Sequence, residues 1–239
     1  MPALSRAPVA TDGQLTQGSA WKRIAAEGVA IVVSILLAFA IDAAWDASRE
    51  RAEERQALSG LREEFRENLD LLEINLRAHR STLSAATTLL AISDGGPQPA
   101  PDSTAVLLRR VFIDAFSYNP CVGVLQGLIA SGDLGLIRDP GLRNLLASWP
   151  GQLEENAEDE AWVFKDVQET YTPYLNDVLP TRAIWSGGAD SHPRYSIVFG
   201  TDDFEELVAM RAYGAEILID ENEALRDLLG RILERIGGP

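Results

Sequence analysis

An apolar run close to the N-terminus constrains this chain more than anything after it. Between Glu27 and Asp42, fourteen consecutive residues, Gly28 to Ile41, carry no charge. At about 1.5 Å per residue they make roughly 21 Å of helix, short of the roughly 30 Å hydrocarbon core of a bilayer. Extending the span to Ile24 and Trp45 closes the gap. Glu27 and Asp42 then fall near the two interfaces, and Trp21 and Trp45, with Lys22 and Arg23, mark the headgroup levels. The stretch 21–45 therefore reads as a transmembrane anchor whose partner is the lipid bilayer. A signal peptide cut after Ala40, at Ala38-Phe39-Ala40, is the competing reading. The long leader before the run, and an amphipathic pattern that continues past residue 40, favour a retained anchor.

Orientation follows from the flanking charge. Arg6, Lys22 and Arg23 precede the span, and Asp42 and Asp46 close it, which favours a cytoplasmic N-terminus and an exported C-terminal part. Arg49, Arg51 and Arg55 weaken that bias. Along one face, Ala26, Ala30, Ser34 and Ala38 recur every four residues, a small-residue stripe on which a second copy of the helix can pack to form a homo-oligomer. The same pattern arises by chance in an alanine-rich chain.

The chain has 239 residues, enough for the anchor and one further domain with a proper core. Its formal charge of −15 is unevenly spread. Residues 1–23 carry three basic side chains against Asp12, residues 24–45 carry only Glu27 and Asp42, and the full acidic excess follows Trp45. Nucleic acid is excluded as a partner by that balance, because phosphate binding needs clustered Lys and Arg. The single Cys121 excludes an intramolecular disulfide and is expected to be a small core residue.

Residues 1–20, without apolar periodicity, read as a disordered cytoplasmic tail. Past the anchor, Leu58, Leu61, Phe65, Leu69, Leu72, Leu76, Leu83 and Leu90 recur at helical spacings, which predicts one long helix continuing from the span. Asp94 to Pro101 ends it. A second helix is expected from an N-cap at Ser103 to the neighbourhood of Asn119, then a short one over 122–130, a buried link over 134–137, and a helix opened by Asp139-Pro140. Pro150-Gly151 is expected to separate that helix from the next, whose apolar side carries Leu153, Ala157, Ala161, Trp162, Tyr171, Tyr174 and Leu175, with a kink or restart at Pro173. From Pro180 to Gly200 the chain reads as an irregular loop or small hairpin, with Ile197 to Phe199 the one strand-like run. Asp202 and Glu205 resemble a capping box for a last helix that runs to Gly237. The fold expected is all-α: a helical extracytoplasmic domain, 46–239, built as an antiparallel bundle with the long first and last helices as neighbours.

Candidate chemistry is sparse. His79 and His192 are the only histidines, and neither has a partner at a metal-ligand spacing. His79 is expected on the bundle surface. Glu154, Glu155, Glu158, Asp159 and Glu160 can offer oxygen ligands to a hard cation, yet no loop wraps them, so a solvated acidic face is the preferred reading. Gly123, Gly127, Gly132 and Gly135 lack the strand and lysine of a phosphate loop and are expected to serve close helix packing. Trp185, His192 and Tyr195, in the irregular loop, could line a small-ligand pocket. No catalytic, metal or cofactor site is assigned.

Two motifs carry a resemblance. Glu27-Gly28, then Ile31 to Phe39, then Ile41-Asp42-Ala43 and Trp45-Asp46, leading into an Arg/Glu-rich helix with Leu61, Glu64, Phe65 and Asn68, form the first. Leu128-Ile129-Ala130-Ser131-Gly132-Asp133-Leu134 with Ile137-Arg138-Asp139-Pro140 and Leu142-Arg143 form the second. Together they resemble an uncharacterised family of bacterial single-pass membrane proteins, over about a third of the chain. Ala44 departs from it, standing where relatives often carry another Trp. The resemblance implies an anchored protein of the bacterial envelope and supplies no catalytic residue. The function expected is a noncatalytic interaction or scaffold protein of the inner membrane, with an unidentified protein partner; ligand sensing is the alternative and an envelope hydrolase a third.

Overall fold

The structure, a computed structural model, describes residues 17–180, 182, 184 and 195–237. It is all-α, and no strand occurs among the described residues. The chain divides into two units, 1–53 and 54–239, each taken by itself below. The division falls a few residues beyond the Trp45 boundary expected.

Helix α1 (Gln17–Ser93) supplies the described part of the first unit and the opening of the second. Residues 1–16 of the expected tail lie outside the described residues, while Gln17 to Ala20 are already helical. Within the first unit the apolar side chains stand bare on every side: Val29 is 63% exposed, Leu36 61% and Phe39 66%. Arg49 and Glu53 pair along the helix surface at 2.9 Å.

The second unit is a helical bundle. Its other elements are α2 (Pro101–Phe112), α3 (Gly123–Ser131), a 3-10 turn (Asp133–Leu136), α4 (Pro140–Asp166), a π-turn (Val167–Tyr171), α5 (Thr172–Val178), a second 3-10 turn (Tyr195–Ile197) and α6 (Asp202–Ile236). Side-chain bonds set α1 and α6 antiparallel, as the sequence predicts. Arg62 donates to the Ile236 carbonyl at 2.6 Å, Arg80 pairs with Glu223, and Ser93 donates to Glu205 at 2.8 Å, so the partner number falls as the α1 number rises. At the other end of α6, Arg235 reaches the Asp139 carboxylate at 3.0 Å. Asp139 caps α4 as expected, accepting from the Gly141 amide at 2.8 Å with Pro140 in the first turn.

Two apolar cores lie along the bundle. One gathers Leu61, Phe65, Leu72 and Leu76 with Leu142, Leu146 and Trp149 and with Leu225, Leu229 and Ile232; the Phe65 and Trp149 rings meet at 5.4 Å. The other gathers Ala86, Leu89, Leu108 and Phe112 with Tyr171, Leu175, Phe204 and Val208, and Phe112 stacks on Phe204 at 5.5 Å.

Several local expectations are corrected. Pro150 does not break the chain: α4 runs through it, because Leu146 and Trp149 before it and Asn156, Glu160 and Val163 after it are buried along one side. The buried side of α4 is thus not the Ala157–Ala161–Trp162 side expected; Trp162 is 42% exposed. Pro173 does restart the helix. Having no amide to donate, it follows a π-turn in which Thr172 bonds to Val167. α2 begins at Pro101 rather than at a Ser103 cap and ends at Phe112. The capping box at α6 does not form, since Glu205 accepts from Ser93 instead. Ile197 to Phe199 is not a strand but lies in the second 3-10 turn and the turn after it. Gly132 closes α3 with φ of +80°, whereas Gly123, Gly127 and Gly135 have open space where a side chain would stand, so close packing is not their role. Cys121 is exposed rather than a core residue.

Because Phe65 is fully buried against Trp149, Phe65→Ala is expected to cost about 3–5 kcal/mol, while Ile74→Ala, at a side chain 57% exposed, is expected to stay within about 0.5 kcal/mol of the parent. Denaturant unfolding of the full chain in detergent micelles measures both.

Candidate functional site

Between the two apolar cores the bundle carries a buried polar layer. α1 contributes Asn75, His79 and Thr82, α4 contributes Asn156 and Glu160, and α6 contributes Arg211 and Asn222, all buried. On the neighbouring turns of α1, Glu64 and Asn68 are buried too. The stripe of α1 that faces inward is therefore only partly the leucine series; Leu58, Leu69, Leu83 and Leu90 are half-buried at its edge.

The chain between α2 and α3 explains most of this polarity. Residues 114–122 belong to no helix, so their backbone groups need partners from elsewhere. Glu160 receives the Tyr118 amide on both carboxylate oxygens at 2.9 Å and the Asn75 amide group at 2.9 Å. Asn68 clasps Cys121, donating to its carbonyl and accepting from its amide, each at 2.7 Å. Glu64 accepts from Val124 at 2.6 Å and Leu125 at 3.1 Å, which caps α3 with a side chain from another helix. The Tyr118 hydroxyl donates to the Asn68 carbonyl at 3.1 Å. Arg211 donates to the carbonyls of Val111 and Asp114 at 3.1 and 3.0 Å, closing the end of α2. Asn156 donates to Asn222 at 3.0 Å and ties α4 to α6.

Burial sets the charge of these groups. It raises the Glu160 carboxyl to about 7, against the opposing pull of the Tyr118 and Asn75 hydrogen bonds. It lowers His79 to about 4, with the Arg211 guanidinium adding to the effect, so the ring is neutral near pH 7. Among the described residues neither buried ring nitrogen of His79 has a hydrogen-bond partner, and its ring meets Phe116 edge-on at 6.4 Å. His79 is thus inside the bundle, not on its surface. On the far side of Asn156, burial first and then a hydrogen bond that protonated Glu221 donates to the Asp159 carboxylate raise Glu221 to about 8.

A cleft of about 380 Å³ opens beside Tyr118, walled by Pro120, Val122, Leu125, Trp149 and Leu153 and rimmed by Gln126, Glu154 and Asn156. Its size and walls accommodate a small apolar group. The sequence marks Glu154 as a candidate cation ligand and Leu153 and Ala157 as apolar helix positions, but marks none of them as lining a cleft. The acidic run of α4 does not converge: Glu154, Glu155 and Glu158 are exposed, and Glu160 turns inward. Among the described residues, no group of three or more His, Cys, Asp or Glu is arranged to hold a metal ion. Of the loop trio, Trp185 and His192 lie outside the described residues, and Tyr195 is packed into the second apolar core. The anchor residues Trp21, Lys22, Arg23, Glu27, Asp42 and Trp45 are all exposed, and Ser34 bonds to the Ala30 carbonyl of its own helix at 2.8 Å. Comparison with protein-family models, with curated proteins and with solved structures finds no match.

The layer gives a pH signature. Folded Glu160 keeps a proton that the unfolded chain releases, so its contribution is complete below about pH 4.5 and is lost as pH rises through 7. His79 acts oppositely: its contribution is complete above about pH 6.5 and is lost as pH falls toward 4. The two slopes offset each other between about pH 4.5 and 6.5. Relative to the parent, Glu160→Gln is expected to gain stability as pH rises through that window and His79→Leu to lose it; melting profiles followed by circular dichroism check the sign, and parallel profiles would refute the assignment.

Proposed function

We propose that this chain is a membrane-anchored, noncatalytic interaction or scaffold protein of the bacterial envelope. Its N-terminus is cytoplasmic, residues 21–45 cross the inner membrane, and the helical remainder lies outside, in the periplasm. The observation that carries the reading is the bareness of the apolar part of α1. The helix is long and apolar enough to span a bilayer, and none of that apolar window is buried inside the protein. A core helix of a soluble protein passes the same test of length and composition, but it would be covered by its own fold. Here a bilayer supplies the cover, with Trp21 and Trp45 at its edges. The resemblance of the two motifs to those of bacterial single-pass proteins points to the same placement.

The noncatalytic part of the reading rests on where the buried polar groups are directed. Glu64, Asn68, Glu160 and Arg211 turn their hydrogen-bonding capacity toward backbone amides and carbonyls, a structural use. The acidic exterior suits a protein partner with a basic surface, and the Ala26–Ala30–Ser34–Ala38 face suits a second copy of the anchor.

A signal sequence would be equally bare, so the decisive test is retention. After alkaline extraction of membranes the intact chain is expected in the pellet, and crosslinking in those membranes is expected to join it to a second copy or to another protein. Recovery in the supernatant, or a mature chain that starts past Ala40, overturns the anchor; an isolated monomer in the crosslinked membranes overturns the scaffold role.

A further inference from the structure

The cleft beside Tyr118 is built wholly from the second unit, so nothing in it depends on where the anchor lies. Its walls stand ready before a ligand arrives. Trp149 is buried and meets Phe65 at 5.4 Å, Leu125 belongs to the same apolar core, and Tyr118 is held at both ends, its amide on Glu160 and its hydroxyl on the Asn68 carbonyl. A wall already ordered by the fold spares a ligand much of the cost of ordering it. At about 380 Å³ the cleft lies toward the small end of the range for ligand pockets, about 300–1,000 Å³, which leaves room for one ring and a short chain.

We propose that this cleft binds a small hydrophobic ammonium, its apolar body against Trp149, Leu125 and Leu153 and its protonated amine at the Glu154 carboxylate. Charge complementarity selects the cation. The stretch from Ala115 to Gly132, which supplies one wall, has no charged residue, and on the α4 wall every charged side chain between Arg143 and Lys165 is acidic. No Lys or Arg lines the cleft among the described residues. The backbone amides of Tyr118 and Leu125, donors of the kind an anion would need, are already given to Glu160 and Glu64. At the rim Glu154 is exposed and has no ion-pair partner among the described residues, whereas Glu155 beside it accepts from Gln152 at 3.2 Å. The only charge an anion meets here is like its own, a neutral molecule gains only the apolar walls, and a cation gains both.

The test titrates para-fluorophenethylamine into the full chain in detergent micelles and follows the fluorine resonance. Ala157→Trp fills the cleft and is the reference, since it carries the same micelle and Ala157 is exposed, so the fold is kept. Gln126→Trp, at an exposed position of the opposite wall, fills it independently, and circular dichroism selects the variant that melts with the parent. Every shift is read as the excess over that filled variant. The amine is expected to give a saturable excess with the parent. Glu154→Gln with the amine, and the parent with the neutral para-fluorophenethyl alcohol, are each expected to bind about threefold more weakly, the size of one exposed ion pair. Binding of para-fluorophenylacetate is expected to be weaker still. The same shift with the parent and the filled variant places the probe in the micelle alone and overturns the site. Equal affinity for amine and alcohol, or an unchanged affinity in Glu154→Gln, makes the cleft a neutral apolar site and overturns the cationic ligand. Each of these results leaves the anchor and the scaffold role standing, because retention and crosslinking test those separately.

Discussion

Backbone groups without a helix to satisfy them are the constraint on which the bundle depends. The segment joining α2 to α3 turns Tyr118 into the interior, and an unpaired buried amide or carbonyl there costs about 1–3 kcal/mol. The bundle meets this demand with side chains from distant helices: Glu64 and Asn68 from α1, Glu160 from α4 and Arg211 from α6. Each of these bonds joins residues far apart in sequence, so satisfying the segment also fixes how the helices sit against one another. The polar layer and the helix register are one solution to one problem.

The layer also divides the interior. Apolar contacts carry little information about register, because one leucine packs much like another, whereas a buried carboxylate that must meet a particular amide does not tolerate a slip. With Leu61 to Leu76 on one side and Ala85 to Ile92 on the other, α1 has two apolar stretches that could in principle slide; Asn75 lies at the end of the first, and His79 and Thr82 between the two. Asn75 bonds across to Glu160 at 2.9 Å, which locks the alignment of α1 and α4. The raised affinity of Glu160 for a proton is the cost of that position, and the neutral His79 ring is the other sign of how dry the layer is.

Much of the architecture was legible from the residues. The all-α class, the long first helix, the Asp139-Pro140 start and the antiparallel pairing of the first and last helices follow from periodicity and capping. The errors cluster where inward-facing residues are polar. Following leucines along α1 misses Glu64, Asn68, Asn75 and His79, although their spacings of four, seven and four keep them in phase with Leu61, Leu72 and Leu76. The same bias turned α4 by the wrong angle, onto Ala157 and Ala161 instead of Asn156 and Glu160, and placed His79 outside. Pro150 and the Asp202–Glu205 pair were misjudged for a different reason: local rules for helix ends yield to tertiary packing and to a longer-range partner such as Ser93. No sequence signal marks the cleft beside Trp149, since its walls come from two separate segments, 118–126 and 149–157.

The most direct measurement is hydrogen exchange of the backbone amides of Tyr118, Cys121, Val124 and Leu125 in the full chain held in micelles. Tyr118 and Cys121 lie outside any helix, and Val124 and Leu125 fall in the first turn of α3, whose amides have no partner within their own helix. If side chains of α1 and α4 hold them, all four exchange as slowly as amides in the middle of α6. Exchange at the rate of an exposed turn would contradict the account, because the bundle would then be held by its apolar cores alone.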